Sequence, residues 1–128
     1  MKLLLDTHIL LWAIASPAKL SPHTVAMLSS SGNELVFSVA SLWEIAIKKS
    51  TSRFTNLIDV RTLRNSLLTH HYQELPIWGG HALCVAHLPQ IHRDPFDRIL
   101  VAQALVEDMT LVTADKIMSR YPGRIHQA

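Results

Sequence analysis

Three short runs of the chain are apolar almost without alternation: KLLL at 2–5, ELVFS at 34–38 and TLVTA at 110–114. A strand with one wet face alternates apolar and polar residues. A continuous run marks a strand covered on both faces, the habit of parallel sheets. Helix signals separate the runs, and strands alternating with helices predict an α/β fold, a three-layer α/β/α sandwich around a central, mainly parallel sheet. Parallel crossovers are right-handed, so the carboxyl ends of the strands share one edge, and ligands bind in the crevice outside it.

The helix signals are local. Thr7 begins a helical stretch reaching about residue 15, and Ser21-Pro22 supplies an N-cap and first-turn proline for a helix to about residue 31. Ser38 can cap VASLWEIAIKKS, which should end near Ser50, and Asn56 with Asp59 opens a helix to about residue 69. YQELPI (72–77) reads as a short strand, and Gly79-Gly80 leads into a helix through His87. HRDPFDRILVAQAL (92–105) holds a helix from Pro95 to about Glu107, Asp115 starts a short helix, and RIHQA at the end forms an edge strand. No repeat or linker interrupts the 128 residues, so residues 1–128 are expected to form one domain.

The start, MKLLLDTHILLWAIASPA, imitates a signal peptide, but Asp6 and His8 break its apolar core and no run reaches membrane-spanning length. The lone cysteine, Cys84, excludes a disulfide within the chain and lies in an apolar helical stretch where it should be buried; a cytoplasmic setting without a membrane is expected. Mean hydropathy is +0.19, high for a globular domain, and hints at a surface that a partner covers.

The 92–105 helix opens with too much charge for a segment that should be largely buried. Asp94 caps it and Asp97 sits in its first turn, where carboxylates face the positive end of the helix dipole, worth about 0.3–1 kcal/mol each. Capping would suffice if Asp97 were the one odd acid. However, Asp6 follows the first strand, Asp115 follows the 110–114 strand, and Glu44 lies in the second turn of the helix leaving the second strand. All four point at the same rim. Asp6 and Asp115 could simply cap helices. Glu44 could pair with Lys48 at i,i+4 for about 0.2–0.5 kcal/mol. Yet Leu42, Trp43, Ile45, Ala46 and Ile47 surround Glu44, and a carboxylate on so apolar a helix needs a buried partner.

Four carboxylates in one crevice raise one another's pKa unless a cation neutralises them. A hard divalent ion with oxygen ligands, Mg²⁺ with Mn²⁺ as a substitute, fits that need. Twelve Lys+Arg face ten Asp+Glu, and removing these four acids leaves twelve basic residues against six acidic. A positive surface around an acidic cup suits a polyanion and phosphodiester hydrolysis.

LLDTHILLW, SLWEIAIK, HRDPFDRILVAQAL and LVTAD, in this order and spacing, resemble the PIN-domain nucleases, and more narrowly the VapC-type toxins of toxin–antitoxin pairs. The resemblance implies a PIN-like sandwich and a Mg²⁺- or Mn²⁺-dependent endoribonuclease that leaves 5′-phosphate and 3′-hydroxyl ends. It implies Asp6, Glu44, Asp97 and Asp115 as the catalytic and metal-binding residues. It also implies a homodimer held silent by a cognate antitoxin, with DNA met only through that antitoxin. Many relatives have Asn where this chain has His8, which is read as tuning the site.

Thr7 and Thr113 have hydroxyls near the rim that could orient ligands or simply cap. Arg98 could contact the scissile phosphate or pair with Asp94 at i,i+4. Trp12 and Trp43 are expected in the core or a dimer contact. A zinc site at His81, Cys84 and His87 is disfavoured, because His81 and His87 are about 120° apart around a helix. Neither a G-x-S-x-G nucleophile nor the paired acids of haloacid-dehalogenase phosphatases or receiver modules is present. The remaining alternative is a PIN-like module that binds RNA or an antitoxin without catalysis.

Overall fold

The structure, a computed structural model, describes residues 1–49 and 59–128. Five strands, β1 (Lys2–Leu5), β2 (Glu34–Ser38), β3 (Gln73–Leu75), β4 (Thr110–Thr113) and β5 (Ile125–Gln127), form one sheet in the order β3-β2-β1-β4-β5. Every pairing is parallel; Leu4 sits opposite Val36 of β2 on one side and Leu111 of β4 on the other. The chain leaves β1 toward β2 and β3, then returns to the other side for β4 and β5. The strand order therefore reverses beside β1, where a crevice opens outside the carboxyl ends.

Six helices accompany the described strands: α1 (Thr7–Ala15), α2 (Pro22–Ser29), α3 (Val39–Lys49), α4 (Val60–Thr69), α5 (Gly79–Val85) and α6 (Pro95–Val106). Successive residues of β1 serve opposite layers, as the two-residue period of a strand requires. Leu3 and Leu5 pack with Ile9 and Leu10 of α1, Ile45 of α3, and Leu63 and Leu67 of α4. Leu4 packs with Leu100, Val101 and Ala104 of α6 and with Met118 and Tyr121 beyond β4. Nearly all these side chains are fully buried, each worth about 1.5–3 kcal/mol of transfer free energy. This is the α/β/α sandwich expected from the continuous apolar runs.

Capping explains most helix starts. Asp6 Oδ1 accepts from Ile9 N at 2.9 Å, Ser21 Oγ from Thr24 N at 3.1 Å, Ser38 Oγ from Ala40 N at 3.0 Å and Asp94 Oδ1 from Phe96 N at 2.9 Å. Asp59 Oδ2 caps α4 through Arg61 N and Thr62 N. Asn56 and Ser50, the other expected boundary residues, lie outside the described residues.

The ends differ from expectation in small ways. Ser30 is already extended, so α2 stops at Ser29, and α5 ends at Val85 rather than His87. Asp115 does not begin an α-helix. Its Oδ1 accepts from Ile117 N at 2.8 Å, and only a 3₁₀ turn, Met118–Arg120, follows. Gly123 leads into β5 with φ +103°, where a Cβ would meet Leu105 Cδ2 at 2.7 Å. The left-handed backbone favours glycine, and any Cβ there would also need the Leu105 side chain to shift. Among the described residues, no helix is long and apolar enough to cross a membrane.

Candidate active site

A cleft of about 420 Å³ opens at the carboxyl edge of the sheet. It is lined by all four acids singled out from the sequence, Asp6, Glu44, Asp97 and Asp115, together with Thr7, His8, Lys48, His92 and Asp94. The topology brings these residues together. Asp6 is the first residue after β1 and caps α1, while Asp115 lies two residues past β4, the neighbouring strand. Glu44 comes from α3 and Asp97 from the first turn of α6.

Three of the acids are held by fixed donors. Asp6 receives the Ile9 amide on Oδ1 and the Thr113 hydroxyl on Oδ2, so the end of β4 grips the carboxylate that follows β1. Glu44, 3% exposed, receives Thr7 Oγ1 on Oε1 at 2.6 Å and the Lys48 ammonium on Oε2. Asp115 takes Ile117 N on one oxygen and faces His92 Nε2 at 3.0 Å with the other. Among the described residues, Asp97 is met only by His92 Nε2, at 3.3 Å from Oδ2, and its second oxygen accepts no hydrogen bond.

The electrostatics follow this inventory. Burial pushes the Asp6 carboxyl above its ordinary value, opposed by the Ile9 amide, the Thr113 hydroxyl and His8, while Glu44 adds to the rise. Asp97 is pushed up to about 7, first by burial, then by the nearby charges of Asp94 and Glu44, with His92 opposing. Burial alone would lower Lys48, but the hydrogen bond and charge of Glu44, with Asp94, hold its ammonium above the ordinary value. The cleft thus contains more carboxylate than its own cations neutralise.

Thr7, His8 and Thr113 lie where the sequence placed them. Thr7 and Thr113 act on Glu44 and Asp6, and His8 stands exposed at the cleft wall against Trp12. Arg98 does not. It is 8% exposed and donates to Pro89 O at 3.0 Å, Val85 O at 3.2 Å and Tyr121 Oη at 3.2 Å. It makes neither the Asp94 pair nor a contact in the cleft. Adjacent helix residues point about 100° apart, so Asp97 faces the cleft while Arg98 faces the loop after α5. Asp94 instead pairs with Lys48 at 3.2 Å while keeping its cap.

Of the two places expected for Trp43, the core is ruled out: Trp43 is 58% exposed and Ile47 is also exposed, so one face of α3 is open, and Trp43 packs edge-on against Phe96, ring centroids 5.0 Å apart. Cys84 is half-buried rather than buried. The disfavoured zinc set has a second argument against it. His81 is fully buried, takes the Trp78 amide on Nδ1 at 2.9 Å and meets Glu107 through Nε2 at 2.8 Å.

Sequence reasoning missed His92 and did not place Asp94 in the cleft. His92 was legible only as a histidine two residues ahead of a capping aspartate, a spacing that lets the Asp94 amide reach its ring. Its partner Asp115 lies 23 residues away, and no local pattern announces that meeting.

The sequence matches the PIN domain family over residues 3–124. The chain belongs to that family. Solved structures with this PIN fold are similar along nearly their whole length. VapBC2 from Rickettsia felis, bound to a DNA fragment from its promoter, matches with a TM-score of 0.75 and 19% identity, covering 99% of this chain and 98% of that one. DNA-bound VapBC from Salmonella typhimurium matches at TM-score 0.67 and 16% identity, with the same 99% and 98% coverage. VapBC-1 from nontypeable Haemophilus influenzae matches at TM-score 0.63 and 16% identity, again over 99% and 98%. No curated protein matches the sequence. At these identities the likeness concerns the PIN fold, and the chemistry of this chain rests on its own cleft.

Proposed function

We propose that this PIN domain is a divalent-metal-dependent endoribonuclease that serves as the toxin of a toxin–antitoxin pair. The observation carrying this reading is the meeting of Asp6, Glu44, Asp97 and Asp115, from four separate segments, in one cleft where burial and like charge raise Asp97 to about 7. A carboxylate left in that state calls for a cation. The acidic donors are carboxylate oxygens, which match the preference of Mg²⁺ and Mn²⁺. Asp6, Glu44 and Asp97 would hold the ion, with Asp115 completing the acidic ring.

A divalent ion held there would supply charge neutralisation at the phosphoryl oxygens and a more acidic water. The rest belongs to the chain. Thr113 and Ile9 N fix Asp6, Thr7 fixes Glu44, and Lys48 adds a positive group in the cleft beside Glu44 and Asp94. RNA cut there would leave 5′-phosphate and 3′-hydroxyl ends.

The partner assignments draw on the VapBC structures, which are complexes and in two cases are bound to DNA. The cognate antitoxin covers this chain, and DNA is reached through it. An apolar hollow of about 320 Å³, lined by residues that include Trp43, Ile77, Val85, Pro95 and Phe96, would offer a second copy of the chain an apolar face to cover. The pair operates in the cytoplasm.

The test is cleavage of labelled total RNA by the purified protein, free of antitoxin, in Mg²⁺, Mn²⁺ or EDTA, beside Asp6→Ala and Asp97→Asn. Discrete fragments that need metal and vanish in both variants are expected. Equal cleavage by the variants would take catalysis away from the acidic cleft, and no cleavage by any folded form across tRNA, rRNA and mRNA would leave a binding module instead.

A further inference from the structure

His92 stands between two acids of the cleft, and its ring is held from behind. The Asp94 amide donates to Nδ1 at 3.1 Å. A backbone amide can only donate, so Nδ1 presents a lone pair and the ring proton resides on Nε2. Nε2 donates to Asp115 Oδ2 at 3.0 Å, and Asp97 Oδ2 lies at ion-pair distance, 3.3 Å from the same nitrogen.

His92, Asp97 and Asp115 have potential ligand atoms within 4.8 Å of one another, which alone would suggest three metal ligands. The tautomer argues otherwise. For Nε2 to ligate, its proton would have to move to Nδ1, setting an N–H against the Asp94 N–H and removing the acceptor of that part-buried amide. The ring's place is also built. The His92 amide donates to Tyr121 Oη at 2.7 Å, and the same oxygen receives Arg98 Nη1 at 3.2 Å. Arg98 is tied in turn to the Pro89 and Val85 carbonyls, and Tyr121 is buried.

We infer that His92 is a positioning residue of the cleft and not a metal ligand: its fixed Nε2–H is given to Asp115 beside Asp97, keeping Asp115 outside the ion's direct shell. Asp115 then has one oxygen on Ile117 N and the other on His92. Asp97 keeps an oxygen that accepts no hydrogen bond from the described residues and offers it to the cation. Arg98 and Tyr121, which the cleft does not contain, act through this ring. The inference rests on the metal-dependent reading above and assigns the work within that site.

Two measurements on the full chain test it, neither needing RNA. In ¹⁵N-labelled protein, NMR of the imidazole nitrogens should find the His92 proton on Nε2 both without metal and saturated with Mg²⁺. A proton on Nδ1 in the Mg²⁺-saturated protein makes His92 a ligand and overturns the inference. By calorimetry, His92→Ala should weaken Mg²⁺ binding about tenfold. His92→Gln, whose side-chain amide N–H reaches toward the Nε2 position, should recover most of the loss. Equal Mg²⁺ affinity in wild type and His92→Ala overturns the role. If His92→Ala does not fold, the glutamine variant and the wild-type tautomer decide. A wild type that binds no divalent ion removes the metal reading and this inference with it. A wild type that binds Mg²⁺ as expected but cuts no RNA removes the nuclease reading alone.

Discussion

Thr7 Oγ1 lies 2.6 Å from Glu44 Oε1 and 3.0 Å from Ser41 Oγ, joining the first turn of α1 to α3 across 37 residues of sequence. A hydroxyl has one proton, and the shorter, charge-assisted contact claims it, so Ser41 must donate to Thr7 in turn. Thr7→Val keeps the shape and deletes the donor. A buried carboxylate losing a donor should cost about 1–3 kcal/mol, with weaker Mg²⁺ binding. Chemical denaturation and metal titration of the variant check both; wild-type values in each would dismiss the contact as incidental.

Asp97 ties stability to pH. Its folded pKa of about 7 lies above the ordinary 3.8, so the folded state holds this proton more tightly than the unfolded chain. The resulting stabilisation is complete below the ordinary value and is lost as pH rises through about 7. Metal-free protein should therefore lose about 2–4 kcal/mol between pH 4 and pH 8 relative to Asp97→Asn, the direct conversion of the shift being the ceiling. Mg²⁺ at pH 8 should restore the wild type and not the variant. Urea midpoints at the two pH values, in EDTA and in Mg²⁺, measure this; parallel pH profiles would contradict it.

Arg98 is a strut, and its loss should be felt in stability. Arg98→Met leaves the Pro89 and Val85 carbonyls and Tyr121 Oη without their shared donor, at a cost of about 2–4 kcal/mol. The KM for RNA should not change in the molecules that remain folded. A raised KM with unaltered melting would assign Arg98 to phosphate after all.

Trp43 stands 58% exposed beside Phe96 at the edge of the apolar hollow. If a second copy covers that face, Trp43→Arg should halve the mass measured by light scattering at micromolar concentration. An unchanged mass would move the interface elsewhere.

Gly123→Ala probes the junction into β5. The added Cβ meets Leu105 Cδ2 at 2.7 Å on a left-handed backbone, and a loss of about 1–3 kcal/mol is expected. Thermal melting would reveal it, and a neutral result would mean that Leu105 gives way.

The sequence by itself determined the strands, most of the helix starts and which acids come to the rim. Continuous apolar runs, caps and a proline in the first turn act over one to four residues. Asp6 and Asp115 were placed because a parallel sheet must deliver its carboxyl ends to one edge. Tertiary structure decided what each side chain does there. Lys48 had two acids within reach and took both, Arg98 turned away from Asp94 toward the Val85 and Pro89 carbonyls and Tyr121 Oη, and His92 met Asp115. Trp43 came out to the surface because α3 buries Ile45 and Ala40 and leaves its other face open. These outcomes depend on partners up to 46 residues away. Which partner a side chain finds depends on strand order and on the direction in which its helix presents it, and neither is encoded in its sequence neighbours.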